Sequence, residues 1–167
     1  TIAPISRAIA DFLKNPFDNL LDMIETIYPE FRPNENPDTP EFANPADDVE
    51  YPTPTEDLTI SELGGVTTLY GKGTADLSEH LSIPPTVQSV SWYTETPDVI
   101  PTVYVPSSVK RFHGMGNSGI QNIYFKEGLE ELSGLRNNNL TEIYIPKSVK
   151  LVESYAFTNN PALEKIV

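Results

Sequence analysis

Four short patterns in this sequence hold residue types suited to chemistry. Gly114-Met-Gly116-Asn-Ser-Gly119 spells G-x-G-x-x-G, the turn that lets a backbone approach a pyrophosphate where a helix begins. That chemistry needs a strand before the glycines, a helix after them and an acid about 20 residues on. Here the glycines run into the strand-like stretch Ile120 to Phe125 and read as a bend between repeats. Gly71-Lys-Gly-Thr74 lacks the upstream glycine of a phosphate-binding loop. His80 and His113 are the only imidazoles, and Ser107, Ser108 and Ser118 lie near His113 in the chain. Neither a nucleophile elbow nor an orienting carboxylate accompanies them. Asp47, Asp48 and Glu50 suit a hard cation, but the Asp-x-Asp-x-Asp-Gly frame of a calcium loop is missing, so they read as solvated charge. The expectation is a protein that is not an enzyme, with no cofactor and no metal site.

Composition narrows the partners. The 167 residues carry 24 acidic against 11 basic side chains, a net charge of -13. That balance argues against nucleic acid and anionic membrane, because neutralising phosphates takes clustered Lys and Arg. No run approaches the roughly 20 apolar residues of a membrane span. Cysteine is absent, which excludes disulfides, cysteine-bearing zinc sites and thiol nucleophiles and leaves the compartment open. With 16 prolines and only 38% hydrophobic residues, part of the chain is expected not to pack.

Three segments follow from the distribution of charge and proline. Residues 1–57 hold 13 acidic and 3 basic side chains and nine of the prolines; residues 58–167 hold 11 acidic and 8 basic ones. Residues 1–28 form a helical arm: apolar side chains recur near helical spacing, broken by Asn15-Pro16, which suits the cap and first position of a second helix. Two helices are predicted, over 4–14 and 16–28. Their apolar stripe, with Phe12, Phe17, Leu20, Leu21, Ile24 and Ile27, must be covered by the chain's own domain, a second copy or another protein. Asp11, Lys14, Asp18, Asp22 and Glu25 make this stretch unlike a signal peptide. Residues 29–57 hold seven prolines and nine acids against one base, Arg32, and read as an extended linker without regular structure.

Residues 58–167 repeat. Ile100, Val103, Val105, Val109 and Phe112 recur as Ile120, Ile123, Phe125, Leu129 and Leu132, then as Leu140, Ile143, Ile145, Val149 and Val152. Leu81, Ile83, Val87 and Val90 form a weaker copy, Val66 and Leu69 suit a degenerate first coil, and Leu163 and Ile166 open a further one. The steps from Ile83 to Val105, Phe125 and Ile145 are 22, 20 and 20 residues, and a fixed period of this length means a solenoid. Each coil is expected to give one short strand, near 102–105, 122–125, 142–145 and 165–167, stacked in parallel, with the other apolar positions filling the core from the opposite wall. Asn117, Asn137 to Asn139, Asn159 and Asn160 precede the later strands, where their amides can bond backbone at tight bends.

The stretch Leu140-Thr-Glu-Ile143-Tyr-Ile145-Pro146-Lys-Ser148-Val149-Lys-Leu-Val152, followed by Tyr155-Ala156-Phe157-Thr-Asn159-Asn-Pro-Ala-Leu163, resembles the BspA-type leucine-rich repeat. Val105-Pro106-Ser-Ser-Val109 and Ile83-Pro84-Pro-Thr-Val87 resemble the same frame, so the likeness covers about 83–167. The two coils running from Val105 to Ile145 lack the Ala-Phe pair, and Lys126 stands where the frame has proline. The resemblance implies a short leucine-rich-repeat solenoid with a parallel strand stack and says nothing of residues 1–57. Together with the N-terminal helices and extended Pro-rich linker read above, which precede the solenoid, it makes the expected fold class α+β. It also implies an adhesive or scaffolding role, on a cell surface or outside the cell, or else in a virion.

Tyr104, Tyr124 and Tyr144 share one slot between the inward residues of consecutive coils, flanked by Thr102, Asn122 and Glu142. Parallel neighbours lie about 4.8 Å apart, so the rings would stack in a column on the exposed strand face. Such a column is either strand packing or a recognition stripe, since tyrosine is enriched in interfaces and solenoids bind through extended sheets. The expected function is a protein-interaction or adhesion module that binds a protein partner or copies of itself. The alternative is a structural subunit of a larger assembly, a virion or surface layer, anchored through the helices and linker. Leu163 to Val167 open a repeat without a polar cap, so the natural chain is expected to be longer, or another subunit to cover that edge. Ile143→Asp is expected to unfold the solenoid, because an unpaired buried charge costs several kcal/mol. Circular dichroism of the variant checks this, and a native spectrum would contradict the repeat frame.

Overall fold

A computed structural model of the chain describes residues 45–48, 52–93 and 98–167. The helices expected over 4–14 and 16–28, with their docking residues, lie outside these, as do residues 29–44 and 49–51 of the linker. Where the chain is described it is a parallel β-solenoid of about five turns with almost no helix.

Eleven short strands run in chain order: β1 (Thr59–Leu63), β2 (Val66–Gly71), β3 (Leu81–Ser82), β4 (Ser89–Trp92), β5 (Thr102–Val105), β6 (Arg111–Gly114), β7 (Asn122–Phe125), β8 (Glu131–Ser133), β9 (Glu142–Ile143), β10 (Leu151–Val152) and β11 (Lys165–Ile166). They build two walls. The first is one six-stranded sheet in the order β1-β2-β4-β6-β8-β10, parallel except for the β1–β2 hairpin. The second stacks β3-β5-β7 and then β9-β11.

Registers reproduce the repeat. Thr102 pairs Asn122 and Glu142 pairs Lys165 in the second wall; Val90 pairs Phe112, and Phe112 pairs Leu132, in the first. Leu69 pairs Val90, so the degenerate first coil is part of the stack. The strands at 102–105 and 122–125 match the expected bounds, whereas β9 stops at Ile143 and β11 at Ile166. Each full coil carries two strands, not the expected one. The first wall was hidden because its strands bring few large side chains inward: Phe112 is followed at the next inward position by Gly114, and Leu132 by Gly134. That alternation is too short to stand out as a period of two.

The core is continuous between the walls. Val103, Val105, Ile123, Phe125 and Ile143 face Val90, Trp92, Phe112 and Leu132, with Ile100, Ile120 and Leu140 filling one bend and Val87, Val109 and Leu129 the other. Phe112 meets Phe125 edge to face across the interior, with ring centroids 5.4 Å apart, a geometry the ring quadrupoles favour. Leu58 and the β1–β2 hairpin cover the first coil. The last described coil is less enclosed: Ile145 and Val149 are only partly buried, and Leu151, Val152, Ile166 and Val167 are 40–42% exposed.

Asparagines hold the bends, as their positions suggested. Asn117, Asn137 and Asn159 adopt φ of 62°, 56° and 58° and form an outward ladder, Asn137 donating to Asn117 at 2.9 Å and Asn159 to Asn137 at 2.8 Å. Asparagine tolerates this left-handed region better than most side chains. Asn138 points inward, 2% exposed. Its oxygen accepts the N–H groups of Ser118 and Ile120, and its amide donates to the carbonyls of Met115 and Leu135. Asn160 repeats the donor half on Leu135 and Phe157. Asn138→Ala strands two buried N–H groups, each worth about 1–3 kcal/mol when left unpaired. Urea unfolding is expected to show a loss of at least about 2 kcal/mol, and an unchanged midpoint would mean that water replaces the amide.

Candidate protein-binding face

The outer side of the second wall gathers the residues singled out for binding. Strand alternation sends Val103, Val105, Ile123 and Phe125 inward, so Thr102, Tyr104, Asn122 and Tyr124 face out. The β5–β7 register puts Thr102 beside Asn122 and Tyr104 beside Tyr124. The two tyrosine rings stack with centroids 5.6 Å apart and planes 19° from parallel. Glu142 continues the Thr102–Asn122 column and pairs with Lys165, their charged groups 3.6 Å apart. Tyr144 follows β9, at a point where β9 lies next to β7 without a ladder between them. Backbone pairing therefore fixes the first two rings of the expected column but not the third.

Two features add to the repeat alignment, which already sets His80 in the same outward strand slot as Thr102, Asn122, Glu142 and Lys165. His80, placed by register beside Thr102, sets its ring edge-on to Tyr104, with centroids 5.9 Å apart. The second is a neighbouring turn. Pro45–Asp48 forms a single 3-10 turn close to β5 and β7. Ala46 within it is 5% exposed. Tyr104, Tyr124 and Tyr144 are half-buried. Further along, the Thr53 N–H donates to the Ser82 carbonyl at 2.9 Å and the Ser82 N–H donates to Thr53 Oγ1 at 3.2 Å. Pro52, Thr53 and Pro54 line a shallow groove of about 320 Å³ with Asp76, Ser78, Glu79 and His80. A second 3-10 turn, Thr55–Asp57, leads into Leu58. These stretches of the region expected to be an extended linker are thus shaped by contact with the wall.

The motifs that imitate catalysis are absorbed by the fold. Gly114 ends β6 at φ 113°, where a Cβ would run into the Trp92 carbonyl, and Gly134 at φ 81° packs equally close on Gly114. Gly119 leads to Ile120 and β7, so a strand and not a helix follows the glycines. Lys72 forms an ion pair with the buried Asp98 at 3.0 Å, and Thr74 donates to the Asp57 carbonyl and carboxylate. His113 lies on the first wall with Nε2 3.6 Å from Glu131, which also faces Arg111. Ser107 and Ser108 lie in the turn after β5, and Ser118 is buried in the bend before β7. The structure does not assemble them into a triad. Asp47 and Asp48 belong to the 3-10 turn while Glu50 lies outside the described residues, and among the described residues no acidic or imidazole cluster of metal-binding size occurs.

Burial, the neighbouring Tyr104 and the Glu142 carboxylate together hold the Tyr124 hydroxyl above the ordinary value of 10.0. The folded state therefore keeps this proton after an unfolded chain has lost it, and stability falls as pH rises through that range. In an alkaline titration followed by phenolate absorbance, Tyr124→Phe should remove a step lying above the free-tyrosine range and flatten the alkaline loss of stability. A variant that keeps every such step would show that the Tyr124 hydroxyl is not held above its ordinary value. Comparison of the chain with protein-family models, curated proteins and solved structures gives no match.

Proposed function

We propose that this chain is a non-enzymatic protein-interaction module whose recognition surface is the outer face of the second wall, with Tyr104 and Tyr124 as anchors and Thr102, Asn122, Glu142, Tyr144 and His80 around them. The observation that supports this reading is the pair of outward rings, Tyr104 and Tyr124, which the β5–β7 register stacks in one column with Thr102 and Asn122 beside it. Tyrosine offers large, stiff contact area at low entropic cost, and a β-solenoid presents such residues in fixed rows. The resemblance to BspA-type leucine-rich repeats adds an adhesive role and a cell-surface or extracellular setting to the proposal. A second reading, a structural subunit of a virion or surface layer, draws on the apolar Leu151, Val152, Ile166 and Val167, which remain partly exposed along β10 and β11.

The test compares the full chain with Tyr104→Ala/Tyr124→Ala as bait in cross-linked capture, alongside light scattering. The module reading expects a monomer whose captured partner is lost by the double variant while its circular dichroism stays native. Capture that survives both substitutions would place recognition elsewhere, and a defined multimer in the absence of partner would favour the assembly subunit.

A further inference from the structure

We infer that Asn139 is an acceptor for an N-linked glycan, held on the bend that leads from the first wall into the second. This rests on the cell-surface or extracellular setting proposed above, because the donor sugar and its transferase belong to a secretory route. Asn139-Leu140-Thr141 has the acceptor pattern Asn-x-Ser/Thr with x other than proline, and none of the chain's other asparagines opens such a pattern. A three-residue pattern can act only where the fold leaves it open.

Exposure alternates along the tripeptide: Asn139 and Thr141 are exposed, while Leu140 between them is fully buried. The amide and the hydroxyl that the transfer requires therefore both reach solvent, and the apolar residue between them anchors the segment in the core. The Asn139 N–H donates to the Ile120 carbonyl at 2.8 Å, which fixes the backbone at this point. Its side chain has no comparable task. The side chains of Asn117, Asn137 and Asn159 are joined in the outward ladder, and those of Asn138 and Asn160 hold bend carbonyls. That of Asn139 bonds no group among the described residues.

There is also room for a bulky group. In the repeat frame Asn139 takes the slot of Val99, Gly119 and Ala162, the residues just before Ile100, Ile120 and Leu163. Val99 is 72% exposed, Ala162 is exposed, and a Cβ added at Gly119 would meet only a Val99 methyl at 4.0 Å. In the transfer, Asn139 Nδ2 attacks the anomeric carbon of a lipid-pyrophosphate-linked oligosaccharide. The N–C bond forms as the C–O bond to phosphate breaks. The lipid pyrophosphate leaves with the electron pair, and the amide proton passes to a base of the transferase. The product is a large, solubilising surface group. It would bar a second macromolecule from packing on this bend and confine partners to the walls.

The test expresses the full chain behind a cleavable secretion signal in cells that perform N-glycosylation, and reads mass before and after digestion with a peptide N-glycosidase. Wild type is expected to lose mass on digestion and to show an acid in place of the amide at position 139, which an asparagine with a purely structural role does not give. Asn139→Gln and Thr141→Val should each abolish the glycosylated species, and Thr141→Ser should retain it. Circular dichroism of Asn139→Gln should match wild type, because that side chain has no partner to lose. A secreted wild type without glycan, or a glycan that survives Asn139→Gln, would overturn the inference. A chain from its natural source that is bare at Asn139, beside a secreted chain that is modified there, would overturn the extracellular setting and leave the acceptor in place.

Discussion

A coil of the chain can stack on its predecessor only if it brings the backbone back to the same point one strand spacing further along. Every other feature of this fold depends on that closure. It requires the chain to reverse twice within about twenty residues, and each reversal leaves backbone groups turned away from both sheets. At one bend the carbonyls of Met115 and Leu135 and the N–H groups of Ser118 and Ile120 are all satisfied by Asn138. One buried amide thus fixes both the shape of its own coil and its distance from the previous one. At the other bend the Glu127 carboxylate accepts the N–H groups of Lys147 and Ser148, and Ser148 Oγ accepts the N–H of Gly128. These contacts again run between coils, not within one.

The period, the inward residues and the role of the asparagines were legible because each is a property repeated in sequence. Ile100, Ile120 and Leu140 are alike for the same physical reason, and three examples make the reason visible. The second strand of each coil was less legible because glycine takes an inward position there: successive coils of the first wall close on one another at Gly114 and Gly134 and leave little hydrophobic signal behind. The position of Pro45–Asp48 was not legible at all. Its place near β5 and β7 depends on residues more than fifty positions away in the chain. Composition treated residues 29–57 as one polar, proline-rich block, whereas among its described residues Ala46 is buried and Thr53 pairs with Ser82. The column proposed for binding was legible for the opposite reason: Tyr104 and Tyr124 share a repeat slot, and strand register converts a shared slot into a shared surface.

That conversion also explains how a strongly acidic chain can present a specific surface. The outward column that holds Thr102 and Asn122 stands apart from the connected core, so its residues vary from coil to coil. A row reads Thr102, Asn122, Glu142, Lys165, mixing neutral, acidic and basic groups at intervals set by the backbone. On the proposed reading, affinity would come from the stacked rings and selectivity from the row beside them, because exposed charges contribute little energy but strongly disfavour a mismatched partner.

The steps from Asn122 back to Thr102 and from Glu131 back to Arg111 are the same twenty residues. A unit with this property has an arithmetic that most folds lack. Copying one such stretch in the gene inserts a complete coil, bends included, and needs no compensating change in its neighbours, since each coil touches only the one before and the one after. Losing one is equally tolerated. The length of the wall, and with it the number of rows it displays, is therefore open to change in whole steps by duplication and deletion.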